Sequence, residues 1–381
     1  MDFGWTDEQV ALRESVIGFA QRELASEVSS DDRTHTFPHE SWKRCAAQGI
    51  QGLPIPEAYG GSGADTLSVI VALEALGYGC ADNGLIFSLN AHMWACQHPI
   101  LRFGTEEQKQ RYLPGMCDGS LIAAHAMSEP GSGSDAAGMT TTARAEGGGY
   151  VLNGSKTFAT NAPVADVFVV FAKTAATRGF AGVTAFVIDR DTPGLTVGPP
   201  LHKMGLRTSP MSEVFLDDCR VPEAAVLGRL GIGMVVFNAG MERERGLILA
   251  ATIGSMERAL EQSVGHARTR NQFGQPIGKF QAVAHRLVDM KLKLETARLL
   301  LYRLGWLVDQ GRPALLDSAL VKLYLSECFV DSSLDALQTF GGYGYMEEYE
   351  LERAVRDAIG SRIYSGTSDI QRNLAARFMG L

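Results

Sequence analysis

The chain predicts an α+β multidomain protein. It has an N-terminal all-α domain over residues 1–120, a middle β domain, barrel or sandwich, over 121–229, and a C-terminal four-helix bundle over 230–381. Two changes of hydrophobic period carry this reading. Helical spacing of apolar residues gives way near residue 121 to short β-branched runs, and it returns after Gly228 and holds nearly to the end. Size agrees, because 381 residues with 45% hydrophobic and 20% charged content can bury more than one core.

The elements follow in order. Thr6-Asp7-Glu8-Gln9 has the form of a capping box, and Val10, Leu12, Val16, Ile17 and Phe19 continue at helical spacing. Further helices are predicted over 40–48, stopped by Gly49, then over 67–76, 85–103 and 106–117, the last behind a second box from Thr105 to Gln108. Pro54-Ile55-Pro56-Glu57-Ala58-Tyr59-Gly60-Gly61-Ser62-Gly63 reads as a loop. Strands are predicted over 121–127, 140–146, 150–152, 167–173, 183–189, 195–197 and 214–217, separated by turns such as Asn153-Gly154. Long helices over 234–268, 280–310 and 313–339, the last with Pro313 as its first residue, and a final one over 370–378 predict the bundle.

Composition narrows the function. A net charge of −8 and a pI near 5.6 argue against nucleic acid or an anionic membrane as partner. Cys45, Cys80, Cys96, Cys117, Cys219 and Cys328 are scattered, with no C-x-x-C pair, so they read as reduced thiols of a cytoplasmic protein. No His stands at zinc spacing, and no metal site is expected. Met1-Asp2-Phe3-Gly4-Trp5 lacks the basic region and apolar core of a signal peptide, and no window has the ~18 apolar residues of a membrane span.

One acid stands out on the first bundle helix. Phe237, Met241, Ile248, Ala251 and Ser255 form an apolar stripe, and the residue at its missing step is Glu244. A carboxylate there is paired with Arg245 or Arg243, or it is held for its basicity. Four Gly-punctuated or polar stretches at element ends also stand where ligands bind. Ser128-Glu129-Pro130-Gly131-Ser132-Gly133-Ser134-Asp135 has the make-up of a loop that cradles phosphates or the edge of a ring, or of a plain surface turn. Phe158-Ala159-Thr160-Asn161 offers an aromatic beside a hydroxyl; Arg270-Asn271-Gln272-Phe273-Gly274 lies between two helices; Gln338-Thr339-Phe340-Gly341-Gly342-Tyr343-Gly344-Tyr345 closes a third. No Walker A sequence occurs, and the loop at Ser128 is not followed by a helix as a Rossmann site requires.

In this order the stretches resemble the acyl-CoA dehydrogenase family, over essentially the whole chain. The matching motifs are Met127-Ser128-Glu129-Pro130-Gly131-Ser132-Gly133-Ser134-Asp135, Lys156-Thr157-Phe158-Ala159-Thr160-Asn161, Arg270-Asn271-Gln272-Phe273-Gly274, Gln338-Thr339-Phe340-Gly341-Gly342 and Tyr364-Ser365-Gly366-Thr367-Ser368-Asp369-Ile370-Gln371. The resemblance implies the family fold, FAD as cofactor, a homotetramer, and removal of two hydrogens from Cα and Cβ of an acyl thioester. It assigns His125, Met127, Ser128, Gly133 and Ser134 to the flavin edge, and Phe158 and Thr160 to stacking and hydrogen bonding on it. Arg270, Gln272, Phe273, Gln281, Gln338, Gly341 and Gly342 become dinucleotide contacts, some lent by a neighbouring subunit, and Thr367 and Asp369 the last flavin segment. The family often has Gln where Asp369 stands.

Most members carry the base as a Glu directly after the Tyr of the terminal motif, where this chain has Ser365. A serine hydroxyl with no neighbouring base cannot take the proton at neutral pH. A minority, of isovaleryl and long-chain type, place the base on the first bundle helix, at the position of Glu244. Substrate contacts are then expected from Ser134, Glu242, Arg245, Tyr364, Gly366 and Arg377. The Ile363–Gln371 stretch, the Asn161-Ala162-Pro163-Val164-Ala165-Asp166-Val167-Phe168 segment and a base at Glu244 are similar to the branch acting on aminoacyl or acyl groups tethered to carrier proteins in natural-product biosynthesis, of prolyl type or otherwise. Prolyl enzymes tend to carry an aromatic residue before the base and a Cys soon after, and here stand Arg243 and Leu247. A CoA thioester, an oxygen-using reaction on the same fold, and a non-catalytic subunit are the alternatives. Electron-transfer flavoprotein or O₂ would reoxidise the flavin.

Overall fold

The computed structural model describes residues 4–25, 28–174 and 180–381. Met1, Asp2 and Phe3, part of the expected leaderless start, lie outside the described residues. The Thr6 side chain accepts from the Gln9 backbone N–H while the Gln9 side chain accepts from Thr6, closing the capping box that opens α1 (Asp7–Glu23). Two short helices follow, α2 (Val28–Thr34) and α3 (His39–Ala47). Asp65 caps α4 (Thr66–Gly79). The run expected as one helix over 85–103 divides into α5 (Asn83–His92), a π turn (Met93–Gln97) and α6 (His98–Phe103). Pro99 has no N–H to give the Ala95 carbonyl, and the helix widens at that turn. The second capping box, at Thr105 and Gln108, opens α7 (Glu106–Cys117).

The chain then turns to strands: β1 (Ala123–Ala126), β2 (Thr142–Glu146), β3 (Gly149–Thr160), β4 (Val167–Lys173), β5 (Val183–Asp189), β6 (Leu195–Val197), β7 (Met211–Pro222) and β8 (Val226–Leu227). Among the described residues they form one sheet in the order β6-β7-β3-β2-β4-β5-β8, with β1 beside β4. A single pair, Thr142 with Lys173, joins β2 to β4, so the sheet folds there into two halves that share one core, while the alternate residues of β4 and β5 pack in a second core with helical residues. The turn expected at Asn153-Gly154 lies one hairpin away. Gly147 and Gly148, at φ +61° and +83°, make the turn between β2 and β3, and Asn153-Gly154 sits inside β3 at a bulge. Two adjacent glycines satisfy the left-handed turn, whereas Gly154 at φ +150° serves the bulge, where a Cβ would stand 2.5 Å from the Thr141 hydroxyl.

The helix expected over 234–268 breaks at Ile248 and Leu249 into α8 (Gly233–Leu247) and α9 (Ala250–Thr269). The tip Asn271–Gln272 pairs with Gln275–Pro276 before α10 (Gln281–Asp309). Then come α11 (Leu315–Phe340), α12 (Leu351–Gly360), which the sequence reading missed, and α13 (Ser368–Phe378), capped by Thr367. Pro313 precedes the cap of α11 rather than opening the helix. The four-helix bundle is built from α9, α10, α11 and α13, with α11 touching the other three. The N-terminal helices share its core through α4, which crosses α9 so closely that a Cβ on Gly77 would stand 1.8 Å from the Ala251 carbonyl oxygen. Across the same seam buried Glu74 pairs with Arg298 at 2.8 Å and accepts from the Tyr302 hydroxyl at 2.9 Å. All six cysteines are buried. No helix among the described residues is long and apolar enough to cross a membrane.

Candidate active site

α8 carries Glu244 on the face it turns toward the inside of the molecule, and the residue is only 7% exposed. Its Oε1 accepts a hydrogen bond from the Ser365 hydroxyl, and its Oε2 has no partner. Among the described residues Glu244 forms no ion pair, so the Arg245 and Arg243 pairing left open by the sequence is not made. Burial pushes its carboxyl up to about 6, while the Ser365 hydroxyl, Arg245 and Lys322 hold it back. A group poised there is ionised at neutral pH and basic enough to take a proton.

The segment that meets Glu244 comes from the loop between α12 and α13. Ser365 lies at φ +55° and Gly366 at φ +93°, so the chain makes a left-handed turn that only glycine adopts freely. Gln371 Nε2 donates to the Ser365 and Gly366 carbonyls at 3.1 and 2.9 Å, and Lys322 Nζ donates to the Gly366 carbonyl at 2.7 Å. Lys322 is fully buried, and burial followed by Arg245 brings its ammonium down to about 8. Tyr364 packs its ring 4.5 Å from that of Phe87.

A cavity of about 630 Å³ opens beside these groups, within the size range of small-molecule and cofactor sites. Glu244, Tyr364, Ser365, Gly366, Phe87, Ala91 and Ala95 line one part of it. Another part is lined by His125, Met127, Ser128, Gly133, Ser134, Phe158, Thr160 and Thr367. Burial pushes the His125 imidazole down to about 4, so the ring is neutral. Phe158 occupies a bulge of β3, where the register against β7 shifts between Lys156 and Ala159. Its φ of +56° turns the ring outward, leaving it 64% exposed, an unusual state for a phenylalanine in a sheet.

The loop after β1 is pinned from beneath. Lys156 Nζ lies 2.8 Å from Glu129 Oε1, and the Glu129 carboxylate also accepts from the backbone and hydroxyl of both Thr140 and Thr141. Ser128 accepts from the Thr157 N–H at 2.8 Å. Gly131 and Gly133 have open space where a Cβ would stand, so the rim of the loop is free to meet a ligand while its base is fixed.

The remaining expected site residues lie apart. Glu242, Arg245 and Arg377 are not among the lining residues: two helical steps carry Glu242 about 200° around α8, Arg245 is one step off, and Arg377 is exposed on α13. Arg270 sits over the Tyr343 ring at 5.4 Å, which brings the α9–α10 tip next to Gly341 and Gly342 and makes a second locus at the bundle end. Phe273 is 92% exposed there, Gln272 and Gln338 are also exposed, and Gln281 opens α10. Asp369 is exposed and approached by Arg372 at 3.4 Å. The cavity also takes in Lys203, Met204, Gly205 and Leu206 with Arg356 and Asp357, none of them expected from sequence. Asp357 fixes that loop by accepting from the Leu206 N–H at 2.6 Å, and burial pushes its carboxyl up to about 6. Gly205 allows the loop to lie against α12, since a Cβ there would stand 2.3 Å from the Arg356 carbonyl.

Comparison with known proteins agrees with this architecture. The acyl-CoA dehydrogenase N-terminal, middle and C-terminal domain models match residues 6–120, 124–219 and 231–380. An L-prolyl-[peptidyl-carrier protein] dehydrogenase of Pseudomonas fluorescens is 45% identical over 382 residues, covering 100% of both chains. One from a Serratia species is 44% identical, covering 100% of this chain and 99% of its own. The crystal structure of the prolyl acyl carrier protein oxidase AnaB superposes with a TM-score of 0.98 at 49% identity, covering 99% of this chain and 100% of that one. The structure of PigA with FAD and proline gives 0.98 at 44% identity, with 100% of each chain covered. With three domain models in order and relatives matched end to end, the chain belongs to the acyl-CoA dehydrogenase family.

Proposed function

We propose that this protein is an FAD-dependent dehydrogenase that introduces a Cα–Cβ double bond into an acyl or aminoacyl thioester tethered to a carrier protein, with Glu244 as the base. One observation carries the reading: the same cavity is lined by a buried carboxylate with an unpartnered oxygen and by an outward-turned aromatic ring. The residues suit a flavin. Phe158 offers a face for stacking, Thr160 and Ser128 offer hydroxyls, and the open rim at Gly133 admits a polar ring edge. Bound FAD supplies a two-electron acceptor for the hydride leaving Cβ. Glu244 takes the Cα proton, and the apolar wall of Phe87, Ala91 and Ala95 keeps water from competing for it. In this reading the middle domain, 121–229, holds the ring and the bundle, 230–381, brings the base.

The carrier-protein tether is favoured over CoA by the two full-length relatives, both prolyl-carrier-protein dehydrogenases. We place the protein in the cytoplasm, in natural-product biosynthesis. A homotetramer is supported by Val288, Leu292, Leu299 and Trp306, exposed apolar residues that share one side of α10 at 4-7-7 spacing. Neighbouring copies would then complete the Arg270 and Gly341 locus. O₂ as electron acceptor is the second reading worth keeping, because AnaB is an oxidase.

The test is to purify the protein, record its flavin absorbance, and incubate it with carrier-bound prolyl, other aminoacyl and acyl groups and the matching CoA thioesters. Mass spectrometry should find a 2 Da loss, about one H₂, on a carrier-bound group and little on CoA. A colourless protein, or a product that gains oxygen, would contradict the proposal.

A further inference from the structure

Ser365 stands where most of the family carries its base, yet its hydroxyl is directed at the carboxylate of Glu244. A hydroxyl cannot replace a carboxylate as proton acceptor near neutral pH, so the contact must act on Glu244 itself. Three features make it a built contact. Ser365 is held in a left-handed conformation that a serine does not adopt without support. That support comes from two independent side chains, Gln371 on α13 and fully buried Lys322 on α11, which fix the carbonyls of Ser365 and Gly366. Finally, the two oxygens of Glu244 differ: Oε1 is occupied by Ser365, and Oε2 has no partner.

We propose that Ser365 is a positioning residue for Glu244: its hydroxyl holds Oε1, so that the carboxylate is fixed in one orientation at the cavity wall, and it stabilises the ionised carboxylate. The inference rests on the reading of Glu244 as the base. The other titratable or charged groups around Glu244 are Arg245 on α8, Lys322 on α11, Tyr364 on the same loop and Cys96 on the π turn. Arg245 and Lys322 also favour the ionised form. Tyr364 and Cys96, both pushed up by burial, stay neutral across the working range and add no charge.

The test is the pH profile of kcat/KM for Ser365→Gly in the FAD-loaded enzyme, beside Glu244→Gln. Glycine removes the hydroxyl and accepts the left-handed backbone, so the variant should fold and keep its flavin. Its acidic limb should move up by about one unit, the effect of losing one hydrogen bond to a charged group. A loss that is merely structural would lower activity equally at every pH. If the limb stays in place while Glu244→Gln abolishes turnover, Ser365 has no positioning role and the base assignment stands. If Glu244→Gln turns over normally, the base assignment falls and the inference with it.

Discussion

Lys156 and Glu129 form an ion pair at 2.8 Å with both side chains closed to solvent. Burial would raise the Glu129 carboxyl, but Lys156, Thr141 and Thr140 hold it down to about 2. The contribution of the pair is therefore fully present above the unfolded value of about 4.3 and is lost as pH falls through about 2. Lys156→Met leaves a buried carboxylate without its cation and should cost about 3–5 kcal/mol, with loss of bound flavin as the loop at Ser128 loosens. Glu129→Gln should flatten the acid dependence between those two pH values. Thermal unfolding across that range, followed by flavin fluorescence, checks both; unchanged flavin retention in Lys156→Met would show that the pair does not hold the loop.

Phe158→Ala should separate cofactor binding from folding. The ring is exposed in the chain without ligand, so its removal leaves no cavity in the core and should change the stability of the flavin-free protein by less than about 0.5 kcal/mol. Loss of a stacking face should weaken flavin retention about 10-fold, an effect of about 1.4 kcal/mol. Equilibrium dialysis against FAD, with denaturant unfolding of the flavin-free protein, measures the two effects. A large stability loss with unchanged FAD affinity would contradict this placement.

Gly77→Ala tests the seam between the N-terminal helices and the bundle. The new Cβ would meet the Ala251 carbonyl at 1.8 Å, against backbone that cannot rotate away, so α4 and α9 must separate. A loss of about 1–3 kcal/mol or more is expected, seen as a lower Tm with the flavin spectrum intact in what remains folded. An unchanged Tm would mean that the two helices are not locked at this crossing.

The raised carboxyl of Glu244 has a stability cost with a definite sign. A folded-state value of about 6 above an unfolded value of about 4.3 means that the folded chain holds the extra proton in that window, so stability falls as pH rises through it. Glu244→Gln should be more stable than the native chain at pH 7, by on the order of 1–2 kcal/mol, and equal to it by pH 4. Denaturant midpoints at the two pH values decide the matter. A variant less stable at pH 7 would show that the carboxylate is there for structure.

Much of this was legible in the sequence because it depended on local rules. The capping boxes at Thr6 and Thr105, the change of period near residue 121 and the gap in the stripe at Glu244 all follow from spacing along one element. What escaped depends on pairing across the chain. The β2–β3 turn belongs to Gly147-Gly148 rather than Asn153-Gly154, because the register of β3 against β7 carries the strand through Gly154. Lys203, Arg356 and Asp357 reach the cavity only because the loop at Gly205 lies against α12, a contact 151 residues apart in sequence. The outward turn of Phe158 needs a bulge that no propensity announces.

The central claim is that Glu244 removes the substrate proton. Mixing the FAD-loaded protein anaerobically with its carrier-bound thioester, in native and Glu244→Gln forms, tests it most directly by the flavin absorbance. The native flavin should bleach within turnover times, while the Glu244→Gln flavin should bind substrate, shift its spectrum and stay oxidised, at least about 10³-fold slower. Bleaching of the Glu244→Gln flavin at the native rate would contradict the account.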